Sequence, residues 1–250
     1  MLIRGKTKQS VALVVALLLL STSIPAHCRW FGERFCNNPN FHCRTIKVGE
    51  NWETLWPDFK QRRLIQRLNR MNAPLLPGTL LAVPTDLQNT SLKRFSPMPN
   101  YFYQENNRTF ILVNLAEQAW GAYDFRGHLR RWGPLSSGQS ICSAGNGFCQ
   151  TRSGIFFIKR AKGAACATGA KPKGSCGVPN APDCIYYGPL GEGFSAAMYG
   201  SDELPGFPAS QGCILLFPED SQWLRNEFLV VPGTTRPVRH TTRVVVRGSL

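Results

Sequence analysis

Histidine is scarce in this chain. Four occur in 250 residues, and none lies between His128 and His240. A nucleophile in that stretch has no imidazole near it in sequence, and imidazole is the usual base for a catalytic thiol. Acidic residues are also few, 15 Asp and Glu against 29 Lys and Arg, for a formal charge of +14. That balance points to an anionic partner: a cell-wall polymer, lipopolysaccharide or another envelope surface. The nine cysteines include no tight C-x2-C pair, so a zinc knuckle is not expected, and no metal or cofactor is assigned. The chain has no internal repeat, long low-complexity tract or recognised nucleic-acid motif, and nucleic acid is not expected as a partner. Its N-terminal apolar run, residues 11–20, is too short to span a bilayer comfortably.

That run follows Arg4, Lys6 and Lys8 and precedes small residues and Pro25. This is the pattern of a cleaved secretory signal, placed at 1–26, which directs the mature chain to the periplasm or to secretion. Its loss lowers the formal charge to +11. His27 before Cys28 does not suit lipid attachment. With Cys213 set aside as unpaired, Cys28, Cys36, Cys43, Cys142, Cys149, Cys166, Cys176 and Cys184 form an even set. An even set in an oxidising compartment suits disulfides, with the pairing left open.

Residues 27–43 are a short polar segment with cysteines. A compact unit follows at 44–86. Arg44-Thr45-Ile46-Lys47-Val48 alternates like a strand, and Gly49-Glu50-Asn51 reads as a turn with a helix cap. Trp52, Leu55, Trp56 and Phe59 recur at helical spacing, and a second helix fits 61–70 with Leu64, Ile65 and Leu68 on one face. Pro77-Gly78 turns the chain into a second strand, 79–84. Arg62, Arg63, Arg67 and Arg70 read as a solvated helix face that would also suit an anionic wall. Residues 87–100 are a polar, proline-bearing linker. From 101 to 250 the pattern is mainly β. Short strands at 109–113, 119–123, 128–132, 154–159 and 243–247 alternate with Gly and Pro turns, as in a β-sandwich or barrel. Residues 161–182 read as a disulfide-tied loop, and the sequons at Asn89 and Asn107 as chance.

Chemistry concentrates at Ser210-Gln211-Gly212-Cys213. The apolar run Ile214-Leu215-Leu216-Phe217 follows, then Pro218 and a helix over 219–228 that buries Trp223, Leu224 and Phe228. A thiol at a strand-to-helix turn, beside backbone N–H groups, is placed like a nucleophile. Gly212 lets the backbone approach closely, and the N–H groups of Gly212 and Cys213 are candidate oxyanion donors.

Two stretches resemble known families. Val48-Gly49-Glu50, Trp52-x-x-Leu55, Asn69 and Leu75-x-Pro77-Gly78-Thr79-x-Leu81-x-Val83-Pro84 resemble a LysM module, which implies binding of N-acetylglucosamine-containing glycan, with Trp52 and Asn69 as candidate binding residues. From about 101 to 247 the chain resembles the L,D-transpeptidases with a YkuD-type catalytic domain, nearest their enhanced-entry-type subgroup. The matching segments are 133–138 (Gly-Pro-x-Ser-x-Gly), Phe148-Cys149-Gln150-Thr151-Arg152-Ser153-Gly154, Met198-Tyr199-Gly200-Ser201 and Ser210-Gln211-Gly212-Cys213-Ile214-Leu215-Leu216.

The second resemblance implies a β-sandwich acting on peptidoglycan. Cys213 would attack the L-to-D bond of a tetrapeptide stem, release D-alanine and form a thioester, which an amine of a second stem resolves. It also implies roles for Ser210, Gln211 and Gly212 around the nucleophile and for Gly200, Ser201 and Leu215 at the substrate. Three positions depart from the family pattern. Tyr199 stands where the family has its base histidine, Gln211 where it often has a second histidine, and Leu215 where it has arginine. The expectation is a transpeptidase, impaired at its base, that binds stem peptides and glycan as a monomer. Two alternatives are a non-catalytic peptidoglycan-binding protein on the same fold and a secreted host-interaction protein. His128 is the one imidazole on the domain's early strands that could serve instead.

Overall fold

The computed structural model describes residues 31–103, 108–141, 149–161, 183–196, 204, 206–233 and 240–248. The expected signal segment and most of the 161–182 loop lie outside them. Among the described residues no helix is long and apolar enough to cross a membrane.

The N-terminal part runs strand, helix, helix, strand. Strand β1 (Phe41–Thr45) pairs antiparallel with β2 (Leu80–Pro84) in a two-stranded sheet. It therefore lies about three residues before the expected 44–48, and Val48 projects into solvent. Helix α1 (Trp52–Leu55) starts at a capping box in which Asn51 and Thr54 exchange side-chain-to-backbone hydrogen bonds. Pro57 stops it after one turn, because the residue before a proline is pushed out of helical geometry. Asp58 then caps α2 (Phe59–Asn69) by accepting from the Gln61 N–H at 2.8 Å, and α2 ends at Arg70 in the left-handed conformation. Ile46, Trp52, Trp56, Ile65, Met71, Leu75, Leu81 and Val83 fill the space between helices and sheet. A Cys36–Cys43 disulfide ties the segment before β1 to that strand. The expected linker is folded: Phe95 packs edge-on to Phe41 at 4.7 Å, and the Trp132 indole N–H donates to the Leu92 carbonyl at 2.9 Å.

The second part is one mixed sheet of nine strands: β3 (Phe110–Asn114), β4 (Ala119–Tyr123), β5 (Leu129–Ser136), β6 (Gly154–Phe157), β7 (Arg160–Ala161), β8 (Ile185–Tyr186), β9 (Gly193–Ala196), β10 (Ile214–Leu216) and β11 (Arg243–Arg247). Their order is β6-β11-β3-β4-β5-β10-β9-β8-β7. The end strands β6 and β7 are consecutive in the chain. Between them the Ile158 N–H donates to Thr242 and the Lys159 N–H to Tyr186, so one segment joins both ends and the sheet curls on itself. Ile111, Val113, Trp120, Leu135, Phe194, Leu216 and Val244 pack inside the curl with Leu224 and Phe228 of the C-terminal helix. That helix, α3 (Pro218–Trp223), continues as a π-helical turn, Leu224–Phe228.

The two parts are cemented together, which corrects the solvated-face expectation for α2. Arg67 and Arg70 are buried. The Arg67 guanidinium donates to both Asp220 oxygens at 2.8 and 2.7 Å and to Glu219 at 2.9 Å. Arg131 reaches the same Asp220 at 2.7 Å. Arg70 donates to the carboxylate and carbonyl of Glu117, and Arg34 holds that carboxylate from the other side. Burial pushes the Arg70 guanidinium down to about 10, with Glu117 opposing. Burial pulls the Arg67 guanidinium down as well, but the Asp220 and Glu219 carboxylates together outweigh it, so the net direction there is up.

Candidate functional site

Strand β5 and the turn after it build one wall of the site. Gln118, between β3 and β4, fixes that turn: its Oε1 accepts the Ser137 N–H at 2.9 Å and its Nε2 donates to Ser137 Oγ at 2.8 Å. The Ser137 carbonyl receives the N–H groups of Ala209 and Ser210, and the Ser210 carbonyl receives that of Gln139. Gly138 and Ser210 thereby form a parallel bridge. Segments about 70 residues apart in sequence meet backbone to backbone.

Thr151 is the keystone. Its hydroxyl accepts the Gly138 N–H at 2.8 Å and donates to the Gly212 carbonyl at 3.1 Å. Gly138 has no room for a side chain: a Cβ would collide with the Cys149 carbonyl and sit 2.8 Å from both Gly212 Cα and Thr151 N. Gly212 has φ 110°, in the left-handed half of conformational space where glycine is at home. Ser210 Oγ donates to the Cys213 carbonyl and accepts the Gly212 N–H at 3.2 Å, so that candidate oxyanion donor is already engaged. Gln211 is exposed. Three of the four quoted segments, 133–138, 148–154 and 210–216, therefore converge, and Gln118 joins them; 198–201 lies outside the described residues. Thr151 and Ser137 fall inside the quoted 148–154 and 133–138 stretches, whereas Gln118 had no sequence signal.

Cys213 is 5% exposed, in a buried cluster with Cys184, Tyr186, Leu204, Leu215 and Phe217. It is disulfide-bonded, as are Cys149 and Cys184. This corrects the arithmetic that left it unpaired, because parity says that one cysteine of nine is odd but not which one. Leu215 lies on the same side of β10 as Cys213, inside the cluster. Tyr199, Gly200 and Ser201 lie outside the described residues. His128 is far off. It precedes β5, lies tilted against Tyr101 at 5.5 Å and faces Asp124 at 3.8 Å, while the Cys213 turn meets the far end of that strand. Ten residues of extended chain separate His128 from Gly138, about 30 Å at ~3.3 Å per residue, so it is not placed to serve Cys213.

Trp52 and Asn69, the candidate glycan-binding residues, are both buried. Trp52 is a core residue whose indole N–H donates to the Ala73 carbonyl at 2.8 Å. Asn69 is buried and bonds both backbone groups of Ala82, at 2.8 and 2.9 Å, tying α2 to β2. Among the described residues no group of His, Cys, Asp and Glu is arranged to hold a metal.

A model of the YkuD family, the L,D-transpeptidase catalytic domain, matches residues 108–246, more than half of the chain. The protein belongs to that family. The matched stretch contains the nine-stranded sheet except for Arg247, the last residue of β11, and it contains the Cys213 turn, so the site described above sits in the L,D-transpeptidase domain. No curated protein matches the chain. Among solved structures, it is similar to the L,D-transpeptidase of Xylanimonas cellulosilytica, at 16% identity over 74% of this chain and 77% of that one, with a TM-score of 0.47. It is also similar to that of Stackebrandtia nassauensis, at 16% identity over 63% and 64%, TM-score 0.45. A third is the L,D-transpeptidase from Mycobacterium smegmatis, at 14% identity over 56% and 58%, TM-score 0.41.

Proposed function

We propose that this L,D-transpeptidase-family protein is an exported peptidoglycan acyltransferase whose thiol, Cys213, is stored as a disulfide and acts once reduced. The observation that carries this is the Ser210–Thr151–Gly138 scaffold that holds the Cys213 turn inside the YkuD domain. A dithiol would be oxidised to its disulfide and free Cys213. The thiolate would then attack the carbonyl carbon of the L-to-D bond in a tetrapeptide stem. The C–N bond breaks, D-alanine leaves with a proton on its amine, and a thioester remains. An amine of a second stem attacks, the C–S bond breaks and a new amide crosslinks the wall. The Cys213 N–H, and the Gly212 N–H once it exchanges its long bond to Ser210, would receive the oxyanion.

Turnover is expected to be slow. An unperturbed thiol is only about 3% ionised at pH 7, and losing a positioned base costs ~10²–10⁴ in rate. Tyr199 stands at the family's base position in sequence, with Gly200 and Ser201 as the candidate substrate residues of this reading. The βααβ unit serves as a LysM-like glycan-binding module in this reading. Its contact surface is not Trp52 or Asn69 but the exposed Val48 and Leu76, on the two loops joined where the Ile46 carbonyl accepts the Gly78 N–H at 2.8 Å. The net positive charge would hold the monomer on an anionic envelope.

A second reading, a peptidoglycan-binding protein without turnover, is favoured by the disulfide on Cys213 and by the burial of Leu215 where the family has arginine. One experiment separates them. The mature protein is incubated with a carbapenem, which acylates this family's cysteine, with and without a dithiol, and intact mass is read beside Cys213→Ala and Tyr199→His. An adduct that needs reductant and Cys213 supports the enzyme. An adduct on Tyr199→His alone means that catalysis was lost at the base.

A further inference from the structure

The loop that leads into the Cys213 turn is held by the N-terminal module. The backbone N–H groups of Asn72 and Ala73, just past α2, donate to the Leu204 carbonyl at 3.0 and 3.3 Å. The Asn72 side-chain oxygen accepts the Leu204 N–H at 2.5 Å. Both polar groups of one loop residue are thus taken by two residues of the other module. Leu204 is wholly buried, and its side chain belongs to the cluster that encloses Cys213. The same module reaches that cluster a second time, where the Arg63 and Arg67 guanidiniums lie 4.4 and 5.2 Å over the Phe217 ring. Two of the residues that bury the sulfur are therefore fixed from outside the catalytic domain.

We propose that Asn72 is a positioning residue for Cys213: by clasping Leu204 it keeps closed the apolar cluster around the thiol, with Arg63 on Phe217 as the second hold. A buried cysteine reacts through transient local openings, at a rate proportional to the open population when reclosing is fast. Losing the side-chain acceptor for a buried N–H should raise that population about tenfold or more. Losing a cation over an aromatic face should raise it by roughly two- to tenfold. The proposal rests on Cys213 being the working thiol, yet its test needs no transpeptidase turnover.

The oxidised protein is treated with dithiothreitol, which becomes its cyclic disulfide as each bridge is reduced. Samples are quenched with an alkylating agent, and Cys213 alkylation is followed by peptide mass. The Cys36–Cys43 bridge in the same sample is the internal clock. Asn72→Ala should speed Cys213 release about tenfold relative to that clock. Asn72→Asp, which keeps the acceptor, should stay within twofold of wild type. Arg34→Ala, which weakens the module contact away from Leu204, should change nothing. Equal rates for wild type and Asn72→Ala would overturn the proposal, and so would an equal acceleration in Arg34→Ala. If Asn72→Ala does not fold, Arg63→Met decides: a two- to tenfold rise supports the clasp, and an unchanged rate overturns it.

Discussion

Asp220 is where truncating one side chain should cost most. Its carboxylate is completely buried; it accepts two short hydrogen bonds from Arg67 and forms an ion pair with Arg131 at 2.7 Å. Asp220→Ala leaves Arg67 buried with only Glu219, which is itself shared with Arg63 at 3.0 Å. Removing one partner of a buried pair costs about 3–5 kcal/mol, since the surviving charge keeps its desolvation penalty. Loss of an acid in the first turn of α3 adds a few tenths. At roughly 2–4 °C per kcal/mol for a chain of this size, the melting temperature should fall by about 10 °C or more. Arg67→Met is the telling comparison. There Asp220 keeps Arg131, and the methionine retains most of the aliphatic stem, so the cost should be about 1–2 kcal/mol. The double variant should cost less than the two singles together, because each removes the charge that strands the other. Urea unfolding followed by tryptophan fluorescence would measure all three, with Trp223 reporting locally beneath Arg131. An Asp220→Ala loss below 1 kcal/mol, or a larger loss in Arg67→Met than in Asp220→Ala, would refute the claim that this carboxylate organises the junction.

Thr151→Val should cost about 1–3 kcal/mol and lower carbapenem adduct formation, whereas Thr151→Ser should restore both, as read by unfolding and intact mass. Gly138→Ala should abolish the Cys213 turn, because its Cβ meets backbone on three sides; circular dichroism and adduct formation would show it. The Glu117 contact gives a pH dependence. Burial pushes its carboxyl up, but hydrogen bonds from Arg34 and Arg70 outweigh this and hold it below the ordinary value. The stability it contributes is therefore complete above the unfolded carboxyl range near pH 4.5 and is lost as pH falls through the lower folded value; Glu117→Gln should flatten the acid limb of a stability–pH curve. Opening the short Cys36–Cys43 loop by a double Ser substitution should cost about 2–3 kcal/mol by loop-closure entropy.

The strands of the catalytic domain were legible because apolar runs bounded by turns leave few alternatives. Residues 119–123 and 243–247 were placed to the residue, and the helix after Pro218 began within one residue of its expected start. The short strands β8 and β9 were not, since two to four residues carry no usable period. The arginines of α2 were misread for a different reason. Their polar pattern is that of a solvated face, and the carboxylates that bury them stand 47 and 153 positions away. Asn69 and Trp52 stood out as motif residues, but the motif records what holds a βααβ unit together as much as what it binds. At the candidate site, sequence brought forward the Cys213 turn and the 148–154 stretch. The contacts of Gln118 to Ser137 and of Asn72 to Leu204 escaped notice because each joins a lone amide to a distant loop, and a lone amide carries no pattern.

The junction bears directly on how a thiol without a nearby imidazole can be useful. With Arg67 on Asp220, Arg70 on Glu117 and Asn72 on Leu204, the βααβ unit cannot drift from the Cys213 turn without breaking buried polar contacts. On the proposed reading, a glycan held by that unit keeps its stem peptide at a fixed remove from the sulfur, and residence replaces intrinsic reactivity. Orientation of this kind is worth far more than the ~10²–10⁴ lost with a base. A flexible tether would return little of it, because effective concentration through a floppy linker reaches only millimolar values. On that reading the buried arginines would contribute to catalysis by holding the two parts together. Loosening them should slow acylation by wall fragments while leaving acylation by a small carbapenem unchanged or faster. The same slowing for both acyl donors would mean that the module only stabilises the fold.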